Sequence, residues 1–377
     1  MNKVYDVVVI GGGAIGTSIA WRVGQSGRSV LLLERSKVGR EASSAAAGML
    51  GAQLEVNSPG PFFHLCLESR DRYDKFAEEL LAETGIDVQL VKNGILHLAH
   101  DEEEAESLKH RLHWQGKTGA RGEWWDSSSI AAEEPHLGPT SGGAFLPDDS
   151  NISASLLTRA LRVAAQNFID VQEETEVLGI RPGKDGVQVN TTLRTYAANQ
   201  VVIASGAWAQ PFLESLGVPF RVYPVKGQMM AVRPRSGTGL RHTVFSQHAY
   251  LVPKQDGSII VGATEDHQAG FNHDVTVDAL AYLAASLERI APGLKDAVFE
   301  QSWTGLRPGS ASALPVIGPV PGRENIILAA GHFRNGILLS PVTADMVLAA
   351  LNQEPWKDTW QSFLPEQLPA MQKTVLH

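Results

Sequence analysis

The chain has 377 residues, 43% of them apolar, more than one ordinary hydrophobic core accommodates, so two domains are expected. With 32 basic residues against 41 acidic ones, its formal charge of −9 offers no footprint for nucleic acid. A single cysteine, Cys66, excludes an internal disulfide and a multi-cysteine metal centre, and no stretch approaches the ~20 apolar residues that span a bilayer.

The first predicted element is a strand over residues 7–10, a short β-branched run bounded by glycine, as expected of a strand buried on both faces. It runs into Gly11-Gly12-Gly13-Ala14-Ile15-Gly16, a G-x-G-x-x-G turn. Gly11 permits the sharp turn, Gly13 lets the backbone approach a pyrophosphate, and Gly16 lets the next helix pack closely on the sheet. That helix is expected over residues 14–24, with its positive end toward the phosphates. A second apolar run, 30–33, ends in Glu34, whose carboxylate can accept from ribose hydroxyls and repels a 2′-phosphate. Arg35 reads as an exposed arginine after a strand. Strand, turn, helix, strand and acid in this order predict dinucleotide binding. With no long apolar leader ahead of the first strand, a soluble cytoplasmic protein is the expectation.

Residues 39–49 are nearly all small and leave room for a bulky planar ligand, or form a flexible loop. A helix is expected over 63–84, stopped by Gly85, with Cys66 as a buried, inert thiol. Alternation over 88–98 suggests strands, and the acidic run 101–104 suits the start of a solvated helix. Trp124 and Trp125 read as a packed cluster. Further along, a helix over 154–166 precedes a strand over 171–180. A third parallel strand over 197–204 leads into Ser205-Gly206-Ala207-Trp208. Strands follow at 227–232, 249–253 and 258–262, with Asp256-Gly257 turning the last two into a hairpin. The chain then offers a strand over 325–330, a turn over 331–336 and a helix over 338–351.

Nucleotide-binding βα units thus occur at the start, middle and end, separated by β-rich inserts. This predicts an α/β protein, a Rossmann-like domain interleaved with a mainly antiparallel β-sheet domain. Residues 1–85, 150–220 and 322–365 make the cofactor domain, 86–149 and 221–321 the substrate domain, and 366–377 a tail. Antiparallel material after the first βαβ unit favours a flavin over a nicotinamide. The glycine-bounded turn at 331–336 and the helix behind it could face a flavin's pyrimidine ring, where negative charge develops on reduction.

The 11–16 fingerprint with Glu34, the run 44–50, Ser205-Gly206-Ala207-Trp208, Trp303-Thr304-Gly305-Leu306-Arg307-Pro308-Gly309 and Gly331-His332-Phe333-Arg334-Asn335-Gly336 carry a family likeness. In these motifs the chain resembles the D-amino-acid oxidase/sarcosine oxidase group of FAD enzymes, over essentially its whole length. The first fingerprint is common to many flavoproteins; the later motifs and their order are more specific. The resemblance implies a D-amino-acid oxidase-like fold, with FAD contacts at Gly11, Gly13, Ala14, Ile15, Gly16, Glu34, Arg35, Ala42, Ser43, Ala47, Gly48 and Met49. Further contacts are implied at Val177 through its backbone, at Gly206, and at His332, Phe333, Arg334, Asn335, Gly336, Ile337 and Leu338. It places Arg307 on the substrate carboxylate, Tyr250 and Arg334 nearby, and His248 at the entrance. It also implies a small amino acid and dioxygen as reactants and a homo-oligomer, typically a tetramer. Covalent flavin attachment in this group needs a cysteine in the C-terminal half, which this chain lacks, so non-covalent FAD is expected.

A guanidinium fork in the Leu306-Arg307-Pro308-Gly309 segment, read as a rigid turn, would fix a carboxylate in direction as well as position. From the residue alone a surface or structural ion pair is the commoner reading. Tyr250 offers a second donor or a structural hydrogen bond, and Arg334 could neutralise a reduced flavin or pack beside it. His248 reads by itself as a solvated loop histidine. The chemistry implied is hydride transfer from the substrate Cα to flavin, for glycine, sarcosine or D-alanine. Within the group the alternatives are a sarcosine or D-amino-acid oxidase, or a dehydrogenase passing electrons to a quinone; a tRNA-modifying enzyme would need a basic surface, and a non-catalytic subunit would yield no peroxide.

Overall fold

Val7, Val8, Val9 and Ile10 are all buried, and this is what a strand at the centre of a covered sheet requires. The computed structural model, which describes residues 3–183, 186–235 and 239–368, places Val4–Ile10 in parallel between Val30–Leu33 and Thr195–Ile203. Asp170–Gln172 extends this first sheet at one end, Arg323–Ala330 at the other, and Val316–Val320 closes it antiparallel. Val7 and Val9 pack under the helices Ala14–Gln25, Ala154–Gln166 and Ser340–Leu351. Val8 and Ile10 meet the hairpin Val177–Gly183/Gly186–Thr191 and the helix Gln210–Leu216.

The second sheet runs in the order Val298–Ser310, Val222–Arg233, Ile259–Gly262, Tyr250–Pro253, Thr243–Phe245, Ile95–Ala99, Gly142–Leu146, Glu123–Trp125. Only the pairing of Thr243–Phe245 with Ile95–Ala99 is parallel. The helix Val277–Ile290 covers one face through Leu283, Leu287 and Ile290, packed on Leu251, Ile259 and Val261. Alternation sends Tyr250 and Val252 to the other face, against Ala47. A two-stranded ribbon, Met49–Leu50 with Ser150–Asn151, lies between the sheets' sequence segments.

The α/β class, the interleaved layout and the opening strand–turn–helix–strand unit are as expected, as is the hairpin at Asp256-Gly257, where Lys254 N donates to the Ser258 carbonyl. Several expectations are corrected. The helix over 63–84 is two, Pro61–Arg70 and Tyr73–Thr84. Arg72 makes the break: its guanidinium bonds back to the Glu68 carbonyl at 2.6 Å and across to Asp345 at 2.7 Å. The strand over 171–180 is also two, Asp170–Gln172 and Val177–Gly183. Between them Glu174 adopts φ 56°, and the Glu174 and Thr175 amides bond to the Ser36 and Glu34 carbonyls, so the chain leaves the sheet edge. Within 88–98 the only strand begins at Ile95, and Val91 makes a single bridge to Asn151.

The domain limits shift too. Val316–Val320, placed in the 221–321 insert, belongs to the first sheet because it pairs with Arg323–Ala330. Leu368, at the start of the expected tail, packs on that sheet's core, and 369–377 lie outside the described residues. Arg307 is not in a turn but within the 13-residue strand Val298–Ser310.

Candidate active site

A cavity of about 490 Å³ lies between the two sheets, from the Gly11–Ile15 turn at one end to Arg307 at the other. At the nucleotide end Gly11 has φ 104°, and a Cβ there would come within 2.5 Å of the Ala204 carbonyl oxygen. A Cβ on Gly16 would run into the Gly11 carbonyl, so Gly16 packs the helix on the turn and does not itself line the cavity. The Ala14–Gln25 helix has no acid in its first turn, and the Ala14 amide is capped by Ser43 Oγ at 2.8 Å. Its positive end therefore faces the cavity without a carboxylate against it.

Glu34, only 8% exposed, is held by two amides: Gly12 N donates to Oε2 at 2.7 Å and Ser36 N to Oε1 at 2.9 Å. That fixes an acceptor at the end of the second strand, where a ribose would sit. Arg35 is not a free surface group. Its guanidinium lies 3.5 Å from the Trp208 ring centroid and pairs with Glu41 at 2.8 Å. Trp208 in turn stacks on Phe271, centroids 5.0 Å apart.

Ala42, Ser43, Ala47, Gly48 and Met49 line the middle of the cavity together with Gly13, Ala14, Ile15, Val177 and Gly206. His332, Phe333, Arg334, Asn335, Gly336 and Ile337 form the opposite wall, a turn in which Phe333 takes φ 46°. The His332 ring faces Thr343 Oγ1 at 3.0 Å, and burial pushes its pKa down to about 3, so it is a neutral packing group. Leu338 is 1% exposed in the helix core and is not on the wall; its carbonyl accepts from Ser69 Oγ at 2.6 Å.

Tyr250, Arg307 and Arg334 share the far end. The Tyr250 phenol lies over Gly262, where a Cβ would be 2.5 Å from its oxygen. Burial pushes the phenol up, against the opposing pull of the Arg307 and Arg334 charges, so it stays a donor at neutral pH. The Arg307 guanidinium occupies space left by Gly227, where a Cβ would fall 2.5 Å from Nη1. Its Nη1 donates to the Thr264 carbonyl at 3.3 Å, and among the described residues no carboxylate pairs with it. Arg334 is the opposite case. Glu55 Oε2 at 3.0 Å and Glu265 Oε2 at 3.1 Å both pair with it, and the Glu55 charge holds its pKa up.

His248 is not at the cavity. It lies on the side of the second sheet covered by the Val277–Ile290 helix, where its carbonyl accepts from Tyr282 Oη at 2.6 Å and Nε2 lies 3.2 Å from Arg289. The turn explains this: the Ser246 amide bonds to the Ala249 carbonyl, so His248 sits in the turn ahead of the strand and not on the strand face that Tyr250 turns to the cavity. Glu55 lines the cavity and was not anticipated; an acid between the apolar Leu54 and Val56 was its one local signal. Glu265, just past a strand end, carried no signal.

The cavity's parts fit an FAD: a helix N-terminus with no acid in its first turn for the pyrophosphate, a fixed carboxylate for a ribose, and small side chains where a tricyclic ring needs width. A family profile described as "DAO: FAD dependent oxidoreductase" matches residues 6–350. The glycine oxidase of Bacillus licheniformis is 36% identical over 378 residues, covering 99% of this chain and all of that protein. The bifunctional protein ThiO/ThiG of Synechocystis sp. is 36% identical over 376 residues, 97% of this chain and 54% of that longer protein. The crystal structure of glycine oxidase from Geobacillus kaustophilus superposes with a TM-score of 0.93 at 36% identity, covering 97% of this chain and 99% of that one. The chain belongs to the DAO family of FAD-dependent oxidoreductases.

Proposed function

We propose that the protein oxidises glycine, with sarcosine and D-alanine as overlapping substrates, consuming dioxygen and water and releasing glyoxylate, ammonia and hydrogen peroxide from glycine. The observation that carries this reading is Arg307, a guanidinium beside a protonated phenol in the cavity, with no carboxylate partner among the described residues. A fork of this kind binds a carboxylate through two parallel hydrogen bonds and so sets the direction in which Cα points. Tyr250 Oη supplies a further donor to the same carboxylate. Arg334, neutralised by Glu55 and Glu265, adds no second anion site, so a monocarboxylate with a small side chain suits the pocket. The chemistry supplied by bound FAD is acceptance of two electrons from the Cα–H bond and their return to dioxygen. The amine must be neutral for its lone pair to form the C=N bond as the hydride leaves, and the imine is then hydrolysed. A pocket that differs by one methylene discriminates by only ~1–3 kcal/mol, which is why the substrates overlap.

The names of its relatives support glycine as the substrate and the thiazole branch of thiamine biosynthesis as its use. FAD held without a covalent bond, a cytoplasmic location and a tetramer complete the reading. Cys66, buried in the Pro61–Arg70 helix, is off the cavity wall, and Val298 and Phe299 stand exposed at the start of an edge strand. Sedimentation equilibrium gives the stoichiometry, and a stable monomer removes the assembly from the reading. For the activity, Arg307→Ala is the test. Losing one partner of a buried charged pair costs ~2–5 kcal/mol, so KM for glycine rises roughly 30- to 5000-fold with the flavin still bound. Anaerobic glycine should bleach the flavin of the parent protein. No bleaching by glycine, sarcosine or D-alanine, or an unchanged KM in the variant, overturns the reading.

A further inference from the structure

Lys254 follows the strand Tyr250–Pro253 in the second sheet, yet its ammonium ends among residues from the other part of the molecule. Nζ donates to the Ala47 carbonyl at 2.5 Å, to Asn151 Oδ1 at 3.1 Å and to the Ile152 carbonyl at 3.1 Å. All three acceptors are neutral. Three donors thus meet three acceptors, and no carboxylate among the described residues lies within ion-pair distance to cancel the charge. The acid that bears on it is Asp256 at the tip of the hairpin, whose carboxylate is taken up by Ser258 N at 2.9 Å and Oγ at 2.6 Å.

The segment it grips is the wall of the cavity. Ala47, Gly48 and Met49 line it, and their backbone is tied to the end of the Ser150–Asn151 strand by the Ile152 amide on the Gly48 carbonyl at 2.8 Å. Tyr250, Val252 and Lys254 are spaced by two, so one strand face touches this wall three times: Tyr250 and Val252 pack on Ala47, and Lys254 bonds its carbonyl. An acceptor that lost this donor would be left unpaired in a part-buried place.

We propose that Lys254 is a positioning residue for the FAD-facing wall at 47–49, pinning it across the two sheets and placing an uncancelled positive charge behind it that favours the reduced, anionic flavin. Burial pushes the Lys254 pKa down to about 7, so the group is a cation at pH 6.0, the pH at which the potentials are to be read, and loses its charge above pH 7. The inference rests on FAD lying against residues 47–49 and is independent of which amine is oxidised. The negative charge that appears on two-electron reduction is stabilised by any fixed cation nearby, so removing this one shifts the flavin's midpoint potential downward.

The test uses the FAD-loaded protein and three variants, Lys254→Met, Lys254→Gln and Lys254→Arg, read by FAD dissociation constant and by dithionite titration against a reference dye. Neither readout needs a substrate, so a failure of the glycine reading leaves it intact. Lys254→Met, which keeps the stem and loses both charge and donors, should bind FAD at least tenfold more weakly. It should also favour the oxidised form at least tenfold, a fall of roughly 30 mV for a two-electron couple. Lys254→Gln should show the same potential shift with a smaller loss of FAD affinity, and Lys254→Arg should restore both to the parent values. Parent-like affinity and potential in Lys254→Met overturn the proposal. If that variant does not fold, equal potentials for Lys254→Gln and Lys254→Arg overturn it.

Discussion

Arg307 and Arg334 bring the same charge into one cavity and are set to opposite tasks by their neighbours. Arg334 lies between Glu55 and Glu265, whereas Arg307 has only a backbone carbonyl and the empty space above Gly227. That space yields a direct prediction. In Gly227→Ala the new methyl would stand 2.5 Å from Nη1, the movable end of a side chain and not the backbone, so the guanidinium swings aside and the strand survives. KM for glycine should rise about tenfold or more, the ~1.4 kcal/mol or greater loss of one misaligned charged hydrogen bond. The thermal midpoint and FAD affinity should stay near the parent values. An unchanged KM with an intact fold would mean that Arg307 is not positioned by this gap. Which arginine was free was not legible in the chain. Glu55 and Arg334 are 279 residues apart and Glu265 and Arg334 are 69 apart, and no local pattern reports a pairing at such range.

At the scale of elements, the parts read correctly are those whose causes are local. The opening βαβ unit announces itself through a glycine turn, an uncharged first helical turn and a terminal acid, all within 34 residues. The misread elements have causes that act at a distance. The helix break at Asp71-Arg72 depends on Asp345, 273 residues away, and the split of the 171–180 strand depends on the carbonyls of Glu34 and Ser36. The Arg307 segment was misread for another reason. Pro308 and Gly309 look like a turn, but Pro308 lies opposite Pro224 and Gly309 opposite Tyr223 in one antiparallel ladder. Val298–Ser310 is an edge strand, and Val222–Arg233 meets its second neighbour past Pro224, in a bridge from Lys226 to Asp266 and in a ladder at Met230–Val232. A proline costs little where its nitrogen faces no further strand. The consequence is rigidity: the guanidinium proposed to bind the substrate stands on a paired strand, not in a loop.

For the whole molecule, the buried titratable groups set how stability responds to pH. Burial pushes His332 and His97 both down to about 3, so each is neutral in the fold yet protonates near 6.5 when unfolded. Stability from these groups is present above pH 6.5 and is lost as pH falls toward 3, because the unfolded chain binds the extra protons. Asp149 acts in the other direction. Burial raises it to about 6 despite its bonds to Arg70 and to the Gln53 and Leu54 amides, so protonation below pH 6 favours the fold. Between pH 7.5 and pH 5.0 each histidine costs ~2 kcal/mol, Lys254, pushed down to about 7, costs ~1 kcal/mol and Asp149 returns ~1 kcal/mol, for a net loss of roughly 4 kcal/mol. At the entropy of unfolding usual for a chain of this size, that lowers the thermal midpoint of the FAD-saturated protein by roughly 5 °C. His332→Asn and His97→Asn each remove one of the two charges that must stay out of the core. Each should reduce the drop to roughly half, and the double variant should keep nearly the same midpoint at the two pH values, because Lys254 and Asp149 then offset each other. Scanning calorimetry of the four proteins at both pH values decides this. If the double variant loses as much as the parent on acidification, the carboxylates of the surface ion pairs, and not the two buried imidazoles, govern the acid limb of the stability curve.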